Sequence, residues 1–250
     1  MHREPRVSVF PTPRDVARTL ARRVGAALTE NPRLVIGLPT GRTPLLLYEE
    51  LVRLHADDEV DFSLATTFNL DEFVGLRSEH PGSYRTFMHR FLFDHVSIDP
   101  ARTHFLDGAA ADLEEECDRY EAAIEAAGGI DLQILGIGTN GHIGFNEPGP
   151  ELEARTHRVT LRPETRRSNA ALFGGDPAGV PSEALSMGMG TILHAREAIL
   201  LATGESKARC VERMVRGPIT TALPASLLQL HRNAELMLDE AAAAGLASES

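Results

Sequence analysis

His142 and Glu147 lie close together in the glycine-rich stretch GIGTNGHIGFNEPG, residues 136–149. An imidazole titrates near neutral pH, and a nearby carboxylate can orient it, so the pair suits general acid–base work. Gly136, Gly138 and Gly141 do not have the spacing of the dinucleotide fingerprint, and no strong helical pattern follows them. A second candidate acid–base group is in TFNLDEF, where Asp71 and Glu72 follow a strand-like run. Neighbouring side chains on a strand point to opposite sides, so at most one of these two faces a given pocket.

Two cations stand where the dipole of a following helix would oppose them. In GLPTGRTP, residues 37–44, Thr43 suits an N-cap and Pro44 the first helical position. Gly41 permits a tight turn, so backbone N–H groups near Thr40 and Thr43 can converge on an anion. Arg42 then sits just before the positive helix end, an unfavourable place unless an anion neutralises it. In ATGESKAR, Lys207 falls in the first turn of the helix predicted after Gly204. It is the single lysine among 25 basic residues. Lysine is a compact point charge and arginine a wide fork, so a narrow phosphate site selects lysine. The alternative is two ordinary turns carrying solvated cations.

These residues need a frame. Strand-length apolar runs occur at RVSVF (6–10), Leu34–Leu38, Leu64–Leu70, Asp131–Gly138, Ala198–Thr203 and Ala234–Asp239. Helical patterns alternate with them, near 13–29, 44–55, 83–95, 111–127 and 205–215. That alternation predicts an α/β fold, a mostly parallel sheet with helices on both faces. Ligands of such sheets bind at the carboxyl ends of the strands, and each candidate above follows a strand.

Composition bounds the function. A chain of 250 residues with no linker-like segment predicts a single domain spanning residues 1–250, with a frayed LASES tail. No apolar run approaches the roughly 20 residues of a membrane span, and MHREPRVSVF lacks a signal-peptide core. Cys117 and Cys210 are too few for a disulfide framework, so the expected location is cytoplasmic. A net charge of -11 argues against nucleic acid as a partner, but leaves room for a small anionic substrate in a local pocket. The other histidines lack metal-ligand spacing, and no G-x-S-x-G elbow is present, so neither a metal site nor a serine hydrolase is expected. The residues themselves describe an enzyme that moves protons on a small phosphorylated substrate.

Taken together, GLPTGRTP, TFNLDEFVGL, HPGSYRTFMHRFLFDHV, GIGTNGHIGFNEPG, SMGMGTIL and GESKA resemble the glucosamine-6-phosphate deaminase (isomerase) family in the family's order. The resemblance runs from about Val35 to Asp239. It implies a Rossmann-like α/β fold and a reaction without cofactor or metal. Glucosamine 6-phosphate would be opened, isomerised and hydrolysed to fructose 6-phosphate and ammonia in amino-sugar catabolism. By motif, Asp71 resembles the base that moves a proton between C2 and C1. His142 resembles the ring-opening group, with Glu147 as its partner. Thr40, Gly41, Thr43 and Lys207 resemble the phosphate site.

Five positions depart from the family pattern. Asn140 stands where Asp is often found, which leaves Glu147 as the main charged partner of His142. Ala171 replaces a phosphate-binding arginine in SNAALF. Arg42 stands where relatives commonly have Gly or Ser, and is expected to supply the missing cation. His157 and Val159 replace the basic pair of relatives activated by N-acetylglucosamine 6-phosphate, so the chain resembles the shorter, unregulated branch. The rival readings are a 6-phosphogluconolactonase, whose loop lacks FNEP, and a sugar-phosphate sensor without catalysis. The sequence leaves the oligomeric state open, a homo-oligomer included.

Overall fold

Runs such as AILLA and ELMLD carry apolar side chains on both strand faces, and so require cover on both. The computed structural model, which describes residues 5–246, provides it. In chain order the main elements are β1 (Arg6–Phe10), α1 (Pro13–Glu30), β2 (Val35–Leu38), α2 (Leu45–Ala56), β3 (Thr66–Asn69), β4 (Asp71–Phe73) and α3 (Tyr84–Phe91). There follow β5 (Thr103–His104), α4 (Leu113–Ala126), β6 (Leu132–Gly136), β7 (His157–Thr160), α5 (Pro163–Asn169) and β8 (Glu183–Ser186). The chain continues with α6 (Met189–Leu193), β9 (Glu197–Ala202), α7 (Ala208–Arg216), β10 (Ala234–Asp239) and α8 (Glu240–Ala243).

Seven strands form one sheet in the order β1-β10-β9-β6-β2-β3-β5, and all of its pairings are parallel. Strand alternation divides the core. Ile36, Ile134 and Ile199 point to one face with Leu20 of α1 and Leu51 of α2. Val35, Leu135 and Leu200 point to the other, with Tyr120 of α4 and Val211 of α7. Each helix thus lays one apolar stripe on the sheet. Helix α1 also has a well-formed start: the Thr12 side chain accepts from Asp15 N, and Pro13 opens the first turn.

The expected Leu64–Leu70 strand is divided. Strand β3 ends at Asn69, and Leu70 changes partners. Its N–H donates to Leu38 O at 3.3 Å, while its carbonyl accepts from Met187 N at 2.7 Å. The chain therefore leaves the main sheet, and Asp71 begins β4 in a second, antiparallel sheet of order β4-β8-β7. That small sheet was not anticipated. The helix expected over 83–95 is α-helical only to Phe91, with a 3-10 turn at Phe93–His95. The tail beyond Leu246 lies outside the described residues. Among the described residues no helix is long and apolar enough to cross a membrane.

Candidate active site

Strand order reverses direction between β2 and β6, and this is where an open parallel sheet leaves a crevice. The loops after β9, β6, β2 and β3, four adjacent strands, meet around a cleft of about 480 Å³. Thr40, Gly41, Arg42, Thr43, Asp71, Asn140, His142 and Lys207 all line it. Glu147 does not line it, and stands behind His142.

The turn after β2 is fixed from below. The Tyr48 hydroxyl donates to Pro39 O. Gly41 has φ +94°, a conformation open to glycine and strained for other residues. Helix α2 begins one residue later than the sequence suggested. Pro44 is the N-cap, with no side-chain capping bond, so Thr43 does not serve as the cap. Pro44 has no N–H, and the turn is closed by Leu45 N donating to Arg42 O at 3.3 Å. The Thr43 side chain is thereby left for the cleft.

Lys207 ends a 3-10 turn, Glu205–Lys207, which precedes α7; it is therefore not in the first α-helical turn. Gly204, with φ +87°, starts this turn. Its N–H donates to both carboxylate oxygens of Asp239, at 3.0 and 3.1 Å. Lys207 Nζ donates to Ile137 O at 2.6 Å. Burial lowers the Lys207 pKa first, Cys210 raises it, and the Arg42 charge lowers it again. Arg42 is exposed, and its guanidinium makes no hydrogen bond or ion pair among the described residues. Two cations that repel each other across one cleft make a site for an anion.

Asp71 is 6% exposed, and its Oδ1 has no hydrogen-bond partner among the described residues. Burial, then the neighbouring Glu72 charge, hold its carboxyl well above the usual carboxylate range. Glu72 points the other way, as strand alternation requires. It accepts from Phe73 N at 2.8 Å, Tyr84 N at 3.0 Å and Arg85 N at 3.1 Å. It thus joins β4 to the start of α3, although burial still raises its pKa to about 7.

The glycine-rich loop brings His142 to the cleft. The ring lies on Gly138, where a Cβ would sit 2.3 Å from it. Asn140 Oδ1 accepts from His142 N at 3.1 Å, and Asn140 Nδ2 donates to Glu147 Oε2 at 3.0 Å. His142 Nδ1 faces that same Oε2 at 3.8 Å. Burial lowers the His142 pKa to about 4; Glu147 raises it and Lys207 lowers it. The imidazole is therefore neutral at neutral pH and able to accept a proton. The SMGMG segment supports the loop. Phe145 N donates to Ser186 Oγ at 3.1 Å, and Asn146 Nδ2 to Met187 O at 2.8 Å.

Sequence reasoning missed Tyr84 and the α5 residues Glu164, Thr165, Ser168 and Asn169, which complete the wall. Ala171, singled out from the sequence, is exposed and lines no part of the cleft. No local pattern marks Thr165 or Tyr84, because α3 and α5 meet only in the fold. The Tyr84 hydroxyl donates to Asn169 Oδ1 at 2.9 Å.

Residues 12–238 match the family described as glucosamine-6-phosphate isomerases/6-phosphogluconolactonase. The chain belongs to this family. Within it, the chain is 48% identical over 238 residues to a glucosamine-6-phosphate deaminase of Halothermothrix orenii, covering 95% of this chain and 98% of that one. It is 50% identical over 217 residues to glucosamine-6-phosphate deaminase 2 of Bacillus subtilis, covering 86% and 87%. Among solved structures, one described as a monomeric glucosamine-6-phosphate deaminase superposes with TM-score 0.93 at 42% identity, covering 96% of this chain and 99% of that one. The 6-phosphogluconolactonase of Trypanosoma cruzi shares the fold, with TM-score 0.76 at 20% identity and 99% and 98% coverage.

Proposed function

We propose that this family member is a glucosamine-6-phosphate deaminase of amino-sugar catabolism, converting glucosamine 6-phosphate and water to fructose 6-phosphate and ammonia. The observation that carries the reading is one cleft that joins a neutral His142, a buried Asp71 and two cations, Arg42 and Lys207. Relatives of 44% identity and above that bear the deaminase name support it.

The phosphate lies in the turn at Thr40–Thr43, between Arg42 and Lys207. This remote grip holds the sugar in register with the reacting carbons. His142 Nε2 takes the proton of the anomeric hydroxyl and returns it to the ring oxygen as the ring opens. Its Nδ1–H faces Glu147, and Asn140 fixes both the loop backbone and that carboxylate. Asp71 in its ionised form then removes the C2 proton and delivers it to C1. As the C2 amine gives up an N–H proton and becomes an imine, the C1 oxygen gains one and becomes a hydroxyl; water then hydrolyses the imine to the ketone with loss of ammonia. A carboxyl with a raised pKa is a stronger base than an ordinary aspartate, as proton abstraction beside a carbonyl needs. The two buried free cysteines suit a reducing, cytoplasmic setting.

The test is to incubate the protein with glucosamine 6-phosphate and to follow ammonia and fructose 6-phosphate together. Equal release of both is expected. Hydrolysis of 6-phosphogluconolactone in place of ammonia release would replace this reading with the lactonase. Tight binding of the sugar phosphate without turnover would replace it with a sensor.

A further inference from the structure

The carboxylate behind His142 is held by more than its own loop. Glu147 Oε1 accepts the Thr165 hydroxyl and, at 3.3 Å, the Arg162 backbone N–H. Arg162 is the N-cap of α5 and Thr165 lies in its first turn. Thr165 is 1% exposed, so the surrounding packing confines this donor. At the other end of α5, Asn169 Nδ2 donates to Thr165 O at 2.9 Å. Asn169 Oδ1 in turn receives the Tyr84 hydroxyl. Helix α5 is thus tied to Glu147 at one end and to α3 at the other. Along this span, Glu164, Thr165, Ser168 and Asn169 line the cleft.

We infer that Thr165 is a positioning residue for the His142–Glu147 pair. Its hydroxyl fixes the carboxylate so that Oε2 faces His142 Nδ1, and it links that orientation to the position of α5. Nδ1 is buried and makes no hydrogen bond among the described residues; the Glu147 carboxylate, with Oε2 at 3.8 Å, favours the proton there by its charge. A proton on Nδ1 leaves Nε2 as an acceptor toward the cleft. Without the Thr165 hydroxyl, Oε1 keeps only the longer bond from Arg162 N, and the carboxylate is held chiefly through Oε2 by Asn140, so its orientation toward Nδ1 loosens. The imidazole then loses its preference between tautomers. Lys207, Arg162 and Glu164 do not take over, because each has its own partner: Lys207 on Ile137 O, Arg162 on Pro148 O, Glu164 on Arg167.

Two readouts test this. Ring-nitrogen NMR of histidine-labelled protein, with His142 assigned by difference against His142→Asn, reports the tautomer without turnover. Steady-state kinetics with glucosamine 6-phosphate form the second arm, which rests on the deaminase reading. Thr165→Val keeps the shape and removes the donor. It should convert the His142 signals from Nδ1–H to a tautomer mixture. It should also lower kcat by about 10-fold, the scale of one charge-assisted hydrogen bond, with KM changed by less than about twofold. Thr165→Ser should restore both, and Thr165→Ala gives the same comparison should the valine variant not fold. Wild-type ring signals in a folded Thr165→Val or Thr165→Ala protein would overturn the inference, as would a serine variant no better than either. Absent deaminase activity in the wild type counts against the proposed function, while the ring signals still decide the role of Thr165.

Discussion

Asp71 illustrates a residue kept at a cost to the fold. Its raised pKa means that the folded protein holds a proton which the unfolded chain has released above about pH 3.9. Bound protons are then more numerous in the folded state, so stability falls as pH rises from that value through the folded pKa. Asp71→Asn removes the titration. The variant should melt higher than wild type at neutral pH, with its lead shrinking as the pH is lowered. Its kcat should fall by about 10²-fold or more, the scale of a lost general base. Thermal melts across pH and initial rates check both parts; a variant that melts lower at neutral pH would mean that the ionised carboxylate is well compensated. The cations allow a second prediction. The Arg42 guanidinium has no protein partner among the described residues and lines the same cleft as Lys207. One charge-assisted contact to phosphate is worth about 1.5–3 kcal/mol, so Arg42→Ser should raise KM by about 10- to 100-fold with kcat little changed. An unchanged KM would return Arg42 to solvent. Lys207→Arg should also bind poorly, because Nζ is enclosed beside Ile137 O at 2.6 Å and a guanidinium fork needs more width.

At the scale of elements, the loop of residues 136–149 works because glycine makes room for a ring. A Cβ at Gly138 would meet His142 Cε1 at 2.3 Å, closer than any real contact. Gly138→Ala should therefore displace the imidazole and reduce kcat sharply, while inorganic phosphate still competes at the turn of residues 39–43. Equal loss of phosphate binding, measured by inhibition, would show that the whole cleft had collapsed instead. This loop, the β2 turn and the Lys207 turn were legible because each follows a buried parallel strand whose apolar run is visible, as in Ala198–Thr203. The small sheet was not legible. Strands β7 and β8 are four residues each, and β7 alternates half-buried and exposed positions without a strong apolar signal. The break at Leu70 was hidden for a related reason: TFNLDEF reads as one run, and only the tertiary bond from Met187 N ends it. Thr165 and Tyr84 escaped because their partners, Glu147 and Asn169, are remote in sequence, and no local spacing records such a contact.

For the whole molecule, the two sheets define a mechanical route from the surface to the proposed base. His157 of β7 pairs with Ser186 of β8, and Ser186 pairs with Asp71 of β4. An anionic effector gripping β7 would thus be two strand pairings from Asp71. An effector shifts an equilibrium only by its differential affinity for two states, and here β7 offers little to grip. Arg158 is engaged with Glu183 by bonds of 2.9 and 2.6 Å, His157 Nδ1 lies 3.0 Å from Arg155 O, and Val159 carries no charge. Velocity should therefore depend hyperbolically on glucosamine 6-phosphate, and N-acetylglucosamine 6-phosphate should leave the curve unchanged apart from any competition at the cleft. Competition raises KM and keeps the curve hyperbolic, whereas activation through a second site would turn a sigmoidal curve hyperbolic. A sigmoidal curve that the effector straightens would show that β7, despite its neutral residues, transmits binding to Asp71. Replacing His157 and Val159 with lysine tests the same route in reverse. If the ladder transmits force, the added cations should create effector sensitivity; if they add binding without any change in kcat or KM, β7 is only an edge of the small sheet.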